Sequence, residues 1–78
     1  MSTGEFSVFW FDPNGSSYPE KRFVDAKEAV ETAKSLTERP AVAMGIIKRV
    51  IITDGGDYTN FEWRAGEGVV YPPRGGAS

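Results

Sequence analysis

The sequence predicts an α+β domain of order ββαββ: a four-stranded, mainly antiparallel sheet with one helix packed on one face. Two observations predict it. Short segments rich in aromatic and β-branched residues come in two pairs, each joined by a turn containing glycine. Between the pairs lies one segment whose apolar residues recur at helical spacing.

The first strand is "EFSVFWF" at 5 to 11, too short and too aromatic for a helix. Alternation sends Phe6, Val8 and Trp10 to one side and Ser7, Phe9 and Phe11 to the other. Aromatics on both sides suit an inner strand or one whose second face is also covered. "DPNG" at 12 to 15 offers proline for a fixed φ and glycine for a left-handed position, so it reads as a hairpin loop. The return strand is "SYPEKRFV", ending at residue 24. Its Pro19 cannot donate to a ladder and Glu20, Lys21 and Arg22 are charged, which places it at an edge.

"DAKEAVETAKSLTER" at 25 to 39 is the helix. Asp25 stands as N-cap with Glu28 three residues on in a capping-box relation. Ala26, Ala29, Val30, Ala33 and Leu36 fall on one face and Lys27, Glu31, Lys34 and Glu38 on the other, and Pro40 ends it. Small alanines let such a helix lie close to a flat sheet. Residues 41 to 45 read as a loop or a frayed strand start, and "IIKRVIITD" at 46 to 54 is the strongest β segment. "YTNFEWR" at 58 to 64 alternates, with Thr59, Phe61 and Trp63 opposite Tyr58, Asn60, Glu62 and Arg64, and pairs with it. In between, the glycines of "TDGGD" are expected to supply the left-handed backbone of a hairpin turn. "VVYPP" leaves room for a few extended residues, and 73 to 78 reads as a flexible tail, so the single domain has its ordered core at about 5 to 72.

Seventy-eight residues make a domain that buries only about 60% of its unfolded surface. The chain has no cysteine and no histidine, so neither a disulfide nor the usual metal staples can help it. Dense packing or self-association must. Nine basic and eleven acidic residues give a net charge of −2, with no basic cluster beyond the pairs Lys21-Arg22 and Lys48-Arg49. Broad capture of phosphates is thereby disfavoured. No signal-like start and no apolar run of membrane-spanning length is present, which sets a soluble, cytoplasmic expectation with no membrane partner.

Asp54 and Asp57, with Asp12 more remote, are the best candidates for a cation site, but the spacing is not that of an EF-hand loop. A turn accounts for them better, and no metal or cofactor is expected. Without His or Cys the common activated nucleophiles cannot be built, and the remaining acids sit at surface or turn positions, so no catalytic residue is assigned and an enzyme is not expected.

At "FDPNG", "FVDAKEAVETA" and "RVIITDGGDYTNFEW…GEGVVYP" the chain resembles an uncharacterised family of short bacterial proteins. The resemblance covers residues 6 to 72. It implies a bacterial, cytoplasmic or phage-associated source and carries neither an activity nor functional residues.

One helix covers one face, yet apolar side chains project from both. The bulkier set, Phe6, Val8, Trp10, Phe61 and Trp63, is assigned to the helix. Phe9, Phe11, Ile47 and Ile51 are then left on the other face, with Tyr18 and Tyr71 at the rim, as a surface for a protein partner. The expected function is a small non-enzymatic protein-interaction module, a homodimer joined through its sheet. The alternative is a single-stranded nucleic-acid binder that stacks bases on Phe9, Trp10 and Phe11 beside Lys48, Arg49 and Arg64.

Overall fold

The structure, a computed structural model, describes residues 4 to 56 and 58 to 71. Asp57 and the tail at 73 to 78 lie outside the described residues. The chain forms β1 (Phe6–Phe11), β2 (Ser17–Val24), α1 (Ala26–Thr37), α2 (Pro40–Ala43), β3 (Arg49–Thr53), β4 (Thr59–Arg64) and β5 (Gly68–Tyr71). The strands make one antiparallel sheet of order β2-β1-β3-β4-β5. The α+β class holds, while the expected four strands become five and a short second helix is added. Because β1 lies antiparallel between β2 and β3, those two run parallel to each other, and α1 crosses from one to the other.

Local chemistry accounts for most of these elements. Asp12 Oδ1 accepts from the amides of Asn14 and Ser16, and Gly15 takes φ 88°, so the first hairpin turn forms as its residues dictate. Pro19 sits on the edge strand opposite Phe9. That strand carries two register shifts and a left-handed Phe23 at φ 58°, which disrupt the ladder an approaching strand would need. Asp25 caps α1 by accepting from the Glu28 amide at 2.8 Å. The helix ends at Thr37, earlier than expected, and Pro40 stands at the start of α2, where its missing N–H costs nothing.

Two segments depart from the sequence expectation. The amides of Ile46 and Ile47 both turn back to the Ala41 carbonyl and Gly45 takes φ 81°, so β3 starts only at Arg49. Ile47 precedes the strand and the alternation that would place it beside Ile51 does not apply. It is buried in the helix-side core instead. At the far end, Gly66 and Gly68 at φ 87° and 81° reverse the chain, and "GVVY" completes β5 along β4.

The core is Val8, Val50 and Ile52 of the sheet, Ala29, Ala33 and Leu36 of α1, and Ile47. Phe6, Trp10, Phe61 and Trp63 pack around it, so the bulkier set does face the helix. Helix α1 packs mainly over β1, β3 and β2, off-centre from β4 and β5. Its buried stripe is narrower than the sequence suggests: Ala26 is exposed and Val30 is 58% exposed.

That off-centre seat has a measurable consequence. Leu36→Ala should cost about 2 to 5 kcal/mol or unfold the domain, because it opens a cavity under fully buried atoms. Val30→Ala should change stability by no more than about 0.5 kcal/mol. Urea titrations of both variants check this, and comparable losses would show that Val30 is covered in solution.

Candidate functional site

The helix-free face is built from the alternate residues of the three inner strands. Phe9, Ile51 and Glu62 lie in one cross-strand row and Phe11, Arg49 and Arg64 in the next. Ile51 is only 9% exposed although no helix covers it, since its strand neighbours shield it, while Phe9 and Phe11 are half-buried. The Arg49 guanidinium sits 4.7 Å over the Phe11 ring and its Nε donates to Glu62 Oε2 at 2.7 Å. Arg64 Nε donates to the same oxygen at 2.8 Å. One carboxylate thus holds two arginines, and one arginine caps an aromatic ring.

Glu62 is the charge centre of this face, its side chain 12% exposed. Partial burial alone would push its carboxyl up, but the hydrogen bonds and charges of Arg64 and Arg49 outweigh it and hold the group below the ordinary glutamate range. The same pairing pushes Arg64 up.

Of the six residues proposed for this surface, the structure brings Phe9, Phe11 and Ile51 together. Tyr71 stands across from Glu62 at the β5 side, around a shallow hollow with Arg64 and Val70. Ile47 is absent from the face, for the reason given above. Tyr18 is absent as well: it stacks on Trp10 at 4.5 Å on the helix side, and its hydroxyl donates to Asp12 Oδ2 at 3.0 Å.

The helix side carries a second apolar surface that sequence reasoning misses. Because α1 stops short of β4, a trough runs between them. One hollow of about 340 Å³ is lined by Val30, Ala33, Lys34 and Thr37 of the helix and by Ile52, Phe61, Trp63 and Val69 of the sheet. A second of about 200 Å³ continues it past Ala29, Phe6 and Asn60. The signal lay in the count of strands: five strands are too wide for one helix.

Two of the acids singled out in the sequence, Asp12 and Asp54, serve turns, while Asp57 lies outside the described residues. Asp54 Oδ1 accepts from the amides of Gly56 and Tyr58, and Asp54 N donates to the Tyr58 carbonyl. The neighbouring Asn60 amide and these two backbone amides hold the Asp54 carboxyl below the usual range. Gly55 and Gly56 are not left-handed, contrary to expectation, because the aspartate organises the turn. A Cβ at Gly56 would meet the Tyr58 ring at 3.2 Å, a tight approach that this exposed ring can relieve by a small shift. Among the described residues no group of three acids, His or Cys is placed to hold a metal, and no helix is long and apolar enough to cross a membrane. A polar concavity of about 490 Å³ between β2 and α1 is lined mostly by charges, among which Lys21 pairs with Glu28 at 3.0 Å and Arg39 with Glu20 at 2.8 Å.

Comparison of the chain with protein-family models, curated proteins and solved structures finds no match.

The depressed Glu62 carboxyl contributes stability that is present above the ordinary glutamate value of 4.5 and lost as pH falls through its lower folded value. Glu62→Gln should therefore be less stable than the parent at neutral pH, with the gap closing below about 4.5. Thermal melts across that range test it. A gap that stays constant would show that the carboxylate is not held by its two arginines.

Proposed function

We propose that this chain is a non-enzymatic interaction module that self-associates through the helix-free face of its sheet. The observation that carries the reading is the cluster of Phe9, Ile51 and Phe11 on the inner strands, left uncovered by any element among the described residues and flanked by Arg49, Glu62 and Arg64. Aromatic rings and arginines are the residue types enriched at the centres of interfaces, and sheets pack face to face at about 10 Å with interdigitated side chains. A two-fold contact would lay one copy's aromatic row against the other's. The Arg–Glu–Arg group would then lose water and strengthen. Self-association also meets the need of a short chain without disulfides for added stability.

The second reading is a single-stranded nucleic-acid binder, and the exposed side of Phe11 with Arg49 beside it favours it. Against it stands Glu62, which engages both arginines that phosphates would need. The polar concavity supports no catalytic reading better, because its opposite charges pair with each other.

Sedimentation at high micromolar concentration should give a dimer, and Phe9→Ser should weaken association at least tenfold, about 1.4 kcal/mol. Tyr71→Ala, at an exposed rim position, provides a gentler second variant that should weaken it less. A parent chain that sediments as a monomer contradicts the proposal. Salt-sensitive binding of a labelled oligonucleotide that depends on Phe11 would favour the second reading.

A further inference from the structure

The trough beside α1 is independent of the proposed contact face, and its lining is specific enough to name a ligand class. Its floor is Ile52, Phe61, Trp63 and Val69; its wall is Val30 and Ala33 with Lys34 and Thr37 at one end. The hollow past Ala26, Ala29 and Asn60 continues the same channel, sharing Val30, Ile52 and Phe61. The two together follow the helix from Ala26 to Thr37, about 16 Å at 1.5 Å per residue. The lining residues therefore run along the helix rather than around one point. A hollow of about 340 Å³ with a 200 Å³ extension lies in the lower part of the range for small-ligand sites, which are likewise apolar with a few placed polar groups.

Charge complementarity selects the head group. Among the described residues Lys34 is the one charged residue lining the channel, in a chain whose net charge is −2. The ion pairs among the described residues engage Lys21, Arg39, Arg49 and Arg64, and Lys34 is in none of them. Thr37 stands beside it, its hydroxyl donating to the Lys34 carbonyl, so its oxygen can still accept. At the opposite end the only polar side chain among the described residues is Asn60, which donates to the Tyr58 carbonyl. The channel is thus cationic at one end and apolar along its length. A compact aromatic acid would fill only one hollow. A straight acyl chain fills both.

We propose that the trough binds a free medium-chain fatty acid, the chain lying along α1 over Phe61 and Trp63 and the carboxylate at Lys34. Burial of the chain supplies the binding energy and Lys34 sets the direction and the preference for an acid over an alcohol. Val30, exposed and without a core role, is a wall residue of the site.

The chain has two tryptophans, so a Trp10→Phe variant leaves Trp63 as the reporter in the trough. Titration with decanoate below its micelle concentration should blue-shift Trp63 emission and saturate, with decanol binding about fivefold more weakly, the upper range for an exposed ion pair. Lys34→Gln should erase that preference while leaving the melting temperature in place. Val30→Phe, at an exposed position and adding no second indole, should fill the channel and abolish the response. No saturable response of Trp63, or equal binding of acid and alcohol in the parent, overturns the assignment. So does loss of self-association in Val30→Phe, which would make the trough the seat of a second copy. Loss of self-association in Phe9→Ser alone bears on the contact face and leaves this site standing.

Discussion

The seat of one twelve-residue helix on the Val8–Val50–Ile52 ridge governs the rest of the molecule. Ala29 and Ala33 present almost no side chain, so the helix axis can approach the sheet closely, and Leu36 fills the space under its last turn. A helix about 10 Å across covers two or three strands spaced about 4.8 Å apart. Here it covers β1, β3 and part of β2, and no second layer covers the remaining strands or the other face among the described residues. Both apolar surfaces follow from that shortage: the trough over β4 and β5, and the aromatic row beneath β1 and β3.

The two surfaces are managed differently. On the helix-free face, Arg49 lies over Phe11 and is held there by Glu62, which also holds Arg64. This spreads charge across a face that would otherwise present bare aromatics, and it leaves the ring and the arginine ready to be buried together. Among the described residues no charged pair intervenes in the trough, and Phe61 and Trp63 stay half-buried with only Lys34 near the end. The first arrangement suits contact with another protein surface and the second suits a small apolar body. The β2 edge, with Pro19, two register shifts and Phe23 at φ 58°, is poorly suited to either.

Much of the fold was legible where local chemistry decides. Asp12 and Gly15 announce the first turn, Asp25 the start of α1, and the alternation of "YTNFEW" its strand, and each does in the structure what its residue type implies, whereas the Glu28 carboxylate pairs with Lys21 instead of closing a capping box. What was not legible depended on events elsewhere in the chain. The fifth strand is four residues between glycines and prolines, and only the free edge of β4 makes it a strand. Ile47 was misplaced because parity holds only within a strand, and Gly45 with the Ala41 carbonyl delays the strand's start past it. Tyr18 was misplaced since its ring follows Trp10, directly opposite, to the helix side. Val30 matches the helical stripe by spacing, yet the helix is rolled so that Ala29, Ala33 and Leu36 meet the sheet. Of the candidate surface, Phe9, Phe11 and Ile51 came from alternation alone, while the arginine and glutamate that dress them needed the cross-strand register.

Backbone amide shifts followed on dilution from high to low micromolar concentration test the role of the helix-free face most directly. Changes centred on Phe9, Phe11, Ile51 and their partners Arg49 and Glu62 are expected as the dimer dissociates. Shifts that stay fixed throughout, or that move instead at Val30, Phe61 and Val69, would contradict it.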